Sequence, residues 1–200
     1  MRYTGPKVKL SRKLGLALTP KAAKVMENKP HPPGQHGVER RRGKISDYKM
    51  QLLEKQKLRF QYDIHERQMR NYYKKAAKMS GNTGDNLLQL LETRLLSVVF
   101  RGGLGKTIYQ ARQIINHGHI LVNSKKVTVP GFTIKPGDAI TVSPKVKKND
   151  MFFEALKHSY PPEYIEQDKA NLCVKLVAVP EHDQIPVVCN ITNVIEYYSR

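Results

Sequence analysis

The chain has 200 residues, 40% hydrophobic and 26% charged, enough apolar residues for one sizeable domain or two small ones and too many for wholesale disorder. Its formal net charge of +18 is far beyond what solubility requires, so a polyanion is the expected partner. No apolar run approaches the ~20 residues of a membrane-spanning helix, and the opening MRYTGPKVKLSRKLG is too polar for a secretory leader.

Residues 1–80 hold 21 Lys and Arg against six acids, residues 81–142 seven against three, and residues 143–200 seven against eight. The first two stretches are therefore expected to face the polyanion and the last to serve another purpose. Cys173 and Cys189 lack metal-ligand spacing and read as buried free thiols in a reducing, cytosol-like compartment.

Residues 1–45 carry ten prolines and glycines. That density predicts an extended or turn-rich basic segment that buries little and gains order from its partner, with one or two helical turns near TPKAAKVME. Its most cationic part is PGQHGVERRRGK, where His36, Arg40, Arg41, Arg42 and Lys44 are candidate phosphate contacts. Arg2, Lys7, Lys9, Arg12 and Lys13 join them from earlier in the segment. Arginine brings a bidentate fork, and Gly34 and Gly37 let backbone N–H groups come close to phosphate.

Residues 46–85 change texture. Ser46 followed by Asp47 predicts a helix start, and loss of apolar phase near Tyr62–Asp63 predicts two helices, the second running to Gly81. Tyr48, Leu53 and Phe60 are expected in the core. Lys55, Lys57, Arg59, Arg67 and Arg70 are candidate contacts to the polyanion on the outer faces. Tyr72 and Tyr73, beside Lys74 and Lys75, either pack inside or stack on unpaired bases.

Residues 86–143 predict a compact α–α–β–β–β unit. After the capping turn NTGD comes NLLQLLETRLLSVVFRGG, read as one helix, then TIYQARQIINHG, capped by Thr107 and striped by Ile108, Ala111, Ile114 and Ile115. The strands are HILVN, VTVPG and DAITV, with SKK as the first turn. Arg94, Arg101, Lys106, Arg112, Gln113, His117, His119, Lys125 and Lys126 cluster at the ends of these elements as candidate contacts to the polyanion, with Thr107 at a helix start that favours phosphate. Asn123 either joins them or holds the turn. His117 and His119 lack a carboxylate placed to orient them, so a catalytic pair is not expected. Residues 144–200 offer FFEALKHS, a Pro-Pro break and the strand-like runs LCVKLVAV, IPVVCNI and VIEYY, read as a β-rich segment packing on the helical domain.

The block from Leu90 to Asp138, above all QARQIINHGHILVN and KPGD, resembles the S-four RNA-binding domain. RYTGPKVKLSRKLG, PPGQHG, SDYKMQLLEKQKLRFQYDIHERQMRNYYKKA and the final EYYSR extend the resemblance nearly end to end, to the S-four family of small-subunit ribosomal proteins. Departures mark a divergent member. GKTI stands where the family has APTR, so Ile108 replaces an arginine and Lys106 is its partial substitute; Leu96 and Ser97 stand where Asp and Asn are usual. CNITNVIEYYSR departs from the family's closing pattern. The zinc-binding cysteines of some relatives are missing from the N-terminal segment, so neither metal nor cofactor is expected.

The resemblance implies an α+β fold: an extended basic N-terminal segment plus helical domain, an inserted α-α-β-β-β S-four module, and a small β-rich C-terminal layer. It implies direct binding of small-subunit ribosomal RNA and early assembly of the subunit body. It further implies contact with ribosomal protein S-five and other small-subunit proteins, a place on the path by which messenger RNA enters, and a part in translational accuracy. The location would be the cytoplasm or an organelle. An RNA-modifying or aminoacylating enzyme carrying the same module is the competing reading; it needs a separate catalytic domain, and the chain has no Walker loop, no Gly-x-Gly-x-x-Gly after a strand and no Cys-x-x-Cys.

Overall fold

A computed structural model describes residues 3–37, 45–157 and 159–200, and the backbone but not the side chain of His36. Among these, the helices are α1 (Lys7–Leu14), α2 (Pro20–Asn28), α3 (Asp47–Gln61), α4 (Glu66–Ala76), α5 (Thr83–Glu92), α6 (Leu95–Arg101), α7 (Ile108–Asn116), α8 (Asp150–Lys157) and α9 (Ile191–Ser199). The strands are β1 (Ile120–Val122), β2 (Lys125–Lys126), β3 (Ala139–Val142), β4 (Ile165–Asp168) and β5 (Cys173–Leu176). The fold class is α+β, as the sequence predicts. The described residues up to Lys78, joined by Val187–Arg200, form one compact unit, and Met79–Pro186 form a second.

In the helical unit residues 3–28 are mostly helix: α2 lies where helical turns were expected near TPKAAKVME, and α1 stands where extended or turn-rich chain was expected. Pro6 and Gly15 bound α1, while Thr19 caps α2 by accepting from the Ala22 N–H, with Pro20 in the first turn. The breakers thus sit at helix ends, where they cost little, and Leu10, Leu14 and Ala22 are buried. Gly37 is needed for packing: a Cβ there would overlap the Pro32 carbonyl oxygen, and its N–H already donates to the Gly34 carbonyl at 3.0 Å.

Ser46 caps α3, and the break at Tyr62–Asp63 falls where the pattern predicts, with Asp63 at φ 46°. The Gln68 side chain reaches back to the His65 N–H at 3.1 Å to open α4. That helix stops at Ala76, short of Gly81. Leu58, Tyr62, Ile64, Met69 and Val194 are buried, and α9 packs on α3. VIEYY is therefore helical, where a strand was expected: Asn190 accepts from the Asn193 N–H to start α9, and burial against α3 overrides β-branched propensity. IPVVCNI is not a strand either. Tyr48, expected in the core, is 52% exposed.

In the second unit Asn82 and Thr107 cap α5 and α7 as predicted, and Ile108, Ala111, Ile114 and Ile115 face the core. The single long helix expected over 86–103 is two. At the break, the Leu95 and Leu96 N–H groups donate to the Phe132 and Pro130 carbonyls at 2.7 and 3.1 Å, and Arg94 pairs as a bridge with Thr133. The chain leaves the helix there because a neighbouring loop supplies its hydrogen bonds.

One antiparallel sheet runs β2-β1-β3-β5-β4. β1 and β2 form a hairpin in which Leu121 faces Lys126, and Asn123 and Ser124 make the turn with φ of 47° and 66°. SKK is thus not the turn; Lys125 and Lys126 are β2, and Val127–Val129 fall outside it. β4 and β5 extend the same sheet as β1–β3 rather than forming a layer of their own, with Ile140 opposite Val174. Ile120, Val122, Ile140, Val142, Ile165, Val174 and Leu176 join the buried residues of α6 and α7 in one core cluster. Cys173 and Cys189 carry free thiols and are half-buried rather than buried; burial pushes the Cys189 thiol up to about 12.

Candidate nucleic-acid interface

The predicted basic residues separate by where their charge is spent. On α3, Lys55 is 3% exposed, and its ammonium donates to Glu66 Oε2 at 2.9 Å while lying 4.6 Å from the Tyr197 ring centre. Arg59 lies 3.7 Å from the same carboxylate, with its guanidinium 4.3 Å over the Phe60 ring. Lys57 donates to Glu54 Oε1 at 2.6 Å. Burial works to raise the Glu66 carboxyl, but hydrogen bonds from Lys55 and Tyr198, with the charges of Lys55 and Arg59, hold it below the usual carboxylate range. These three cations hold the helical unit together; Lys55 is not a surface contact.

On α4, Arg67, Arg70 and Lys74 are exposed at a spacing of three and four residues, which sets them along one helical face, with Lys75 exposed beside it. Lys74 and Lys75 were missing from the expected contacts, although the spacing from Arg67 and Arg70 carried the signal. Tyr73 does not lie open for RNA: its ring stacks on Tyr198 at 5.1 Å.

In the N-terminal helices Lys9 and Lys13 are exposed. Lys7 donates to the Tyr3 carbonyl at 2.5 Å, and Arg12 Nε donates to the Lys29 and His31 carbonyls at 3.1 and 3.0 Å, tying the loop after α2 to α1. Arg12, Lys13 and Lys57 come together on a cleft of about 300 Å³ that includes Pro30, Pro32 and Met50. Arg2, Arg40, Arg41, Arg42 and Lys44 lie outside the described residues, as does the His36 side chain.

The second unit repeats the division. Arg94 is 2% exposed and so not on the surface, contrary to expectation. Arg101 clasps the buried Glu92 carboxylate through Nε and Nη2, at 3.2 and 2.9 Å, and Nη2 also donates to the Pro186 carbonyl. Burial first, then the Glu92 charge, pushes the adjacent Tyr164 hydroxyl well above the usual phenol range. Lys106 pairs with Glu154, and the buried Ile108 offers nothing at the position of the family's arginine. At the start of α7, Thr107 Oγ1 accepts from the Gln110 N–H at 3.2 Å and the Gln110 side chain accepts from the Lys106 N–H at 2.7 Å. One of the first-turn donors expected to face phosphate, the Gln110 N–H, is thus already used.

What stays outward is the far end of α7 and the hairpin. Gln113 and His117 are exposed, and Arg112 and His119 half-buried. The two imidazoles meet edge to face at 5.7 Å. Lys125 and Lys126 are exposed on β2, and Lys126 crosses Gly118 (φ 70°) so closely that a Cβ there would overlap its Cε. The structure thus brings His117, His119 and Lys126 together around a glycine that has to be glycine. Asn123 holds the turn: its Nδ2 donates to Asp138 Oδ1 at 2.8 Å and its Oδ1 accepts from the Ala139 N–H at 3.0 Å. Among the described residues no group of three or more His, Cys, Asp and Glu is placed to hold a metal ion, and no helix is long and apolar enough to cross a membrane.

Exposed cations on a helix face and on a β-hairpin beside a helix end are what phosphate binding needs. Two family models match, "Ribosomal protein S4/S9 N-terminal domain" over residues 2–92 and "S4 domain" over residues 93–140, which sets the chain in the class of RNA-binding ribosomal proteins. It is 46% identical to small ribosomal subunit protein uS4 of Chlorobaculum tepidum, over 202 aligned residues covering 100% of this chain and 99% of that one. It is 46% identical to uS4 of Streptomyces avermitilis (98% and 97% covered) and 44% identical to that of Thermobifida fusca (100% of both). The chain belongs to the uS4 family of ribosomal proteins.

Proposed function

We propose that this protein is a structural constituent of the small ribosomal subunit that binds small-subunit ribosomal RNA directly and catalyses no reaction. The observation that carries the reading is the outward set of cations: Arg67, Arg70, Lys74 and Lys75 on α4, and Lys125 and Lys126 on β2, with Arg112, Gln113 and His117 at the end of α7. Such groups grip phosphates and position a folded RNA by shape, without a base-edge code. Arg2, Arg40, Arg41, Arg42 and Lys44 add charge to the same task from the N-terminal segment. The family resemblance supports the finer reading: nucleation of the subunit body, contact with ribosomal protein S-five, a part in the path by which messenger RNA enters and in accuracy, and action in the cytoplasm or an organelle.

Sedimentation of tagged protein on a sucrose gradient tests this. Co-migration with small subunits that survives a moderate salt wash is expected. Protein left at the top of the gradient, or a catalytic turnover of a small molecule, would contradict it.

A further inference from the structure

In the helical unit, residues of α3, α4 and α9 enclose a cleft of about 470 Å³ lined by Tyr48, Tyr73, Tyr197 and Tyr198 together with Arg70 and Lys74. The back wall is fixed. Tyr73 and Tyr198 are stacked at 5.1 Å with 27° between planes, and the Tyr198 hydroxyl donates to Glu66 Oε1 at 2.7 Å. Tyr197 meets Tyr198 edge to face at 5.3 Å and is backed by the Lys55 ammonium. The Lys55–Glu66 pair therefore holds both C-terminal tyrosines in place. Tyr48 is different. It lies 6.0 Å from Tyr197, tilted by 36°, and keeps 52% of its surface exposed. Arg70 and Lys74 sit one turn apart on α4, Arg200 joins them in the lining, and no Asp or Glu side chain is among the lining residues.

A preorganised aromatic wall, one ring open to solvent and three cationic side chains in the lining make a site for a planar group that carries a negative charge. A nucleotide has both, and its base can stack on a ring only when it is not already stacked inside a duplex. We propose that this cleft takes one unpaired nucleotide of the bound RNA, its base on Tyr48 and its phosphate against Arg70 and Lys74. The proposal rests on the RNA-binding reading above and adds a stacking subsite to what is otherwise a phosphate grip.

The test uses the full chain with transcribed small-subunit ribosomal RNA. Zero-length ultraviolet cross-linking followed by peptide mass spectrometry is expected to join a nucleotide to Tyr48 or to another tyrosine of the cleft. In filter binding, Tyr48→Ala should weaken the complex about tenfold with its salt slope unchanged, since a stack is lost and no phosphate contact. Tyr48→Phe, which keeps the ring, should bind as the unaltered protein does. Arg70→Gln combined with Lys74→Gln should lower the salt slope by about one. If the unaltered protein binds but no cross-link falls in the cleft, or Tyr48→Ala binds equally well, the subsite is wrong and the wider reading stands. If the unaltered protein does not bind the RNA at all, both fall.

Discussion

α3 and α4 follow one another in the chain and both alternate aromatics with cations, yet they spend their charge in opposite ways. Lys49 is exposed in the first turn of α3, but its other three cations engage carboxylates: Lys55 is buried on Glu66, Arg59 leans on the same carboxylate, and Lys57 holds Glu54, whose other oxygen accepts the Asn190 N–H at 2.9 Å near the start of α9. The cations of α4 stay at the surface. The second unit repeats the pattern, with Arg101 committed to Glu92 and Lys125 and Lys126 turned out. On these elements a carboxylate within reach draws a positive charge into the fold, and the cations of α4 and β2 are left exposed.

The sharpest way to break this comparison is at Glu92, whose side chain is fully buried. Arg101→Ala removes the guanidinium from that buried carboxylate, and urea unfolding should show a loss of about 3–5 kcal/mol. RNA affinity of the variant that remains folded should change little.

Next is Glu66→Ala, which leaves the Lys55 ammonium without its carboxylate. Glu66 is itself about a third exposed, so a smaller loss, about 2 kcal/mol, is expected. The same pair gives a pH dependence. Glu66 is depressed in the folded protein, so its contribution is present above the ordinary carboxylate range and is lost as pH falls through and below it. Unfolding midpoints of the unaltered protein should therefore drop in acid more steeply than those of Glu66→Gln; parallel curves would contradict the pairing.

Asn123→Ala removes two side-chain hydrogen bonds and puts alanine at φ 47°, and thermal unfolding should register about 1–2 kcal/mol. The smallest stability effect belongs to Lys125→Gln with Lys126→Gln, within about 0.5 kcal/mol. That pair should instead weaken RNA binding, which filter binding at several salt concentrations would show.

Much of this was legible in the sequence because it is local. Ser46, Asn82 and Thr107 announce their helices, and the stripe from Ile108 to Ile115 gives the phase of α7. What was hidden depends on partners distant in the chain. Nothing near Arg94 says that the loop at Pro130–Phe132 will supply the Leu95 and Leu96 hydrogen bonds, so two helices read as one. The β-branched start of α9 reads as a strand until α3 is there to cover it. Lys55 and Arg94 look like surface cations because composition shows charge and not burial. In residues 1–45 the density of breakers predicts extended chain, whereas Pro6, Gly15 and Pro20 act singly at helix ends.

The most direct test sets the two helices against each other by the salt dependence of binding to small-subunit ribosomal RNA. Arg67→Gln with Lys75→Gln on α4 should lower the slope of log affinity against log salt by about 1.4–1.8, the effect of two lost phosphate contacts. Lys57→Gln on α3 should leave it unchanged. Equal slopes for all three proteins, or a fall for the α3 variant alone, would contradict the division between cations that hold the fold and cations that hold the RNA.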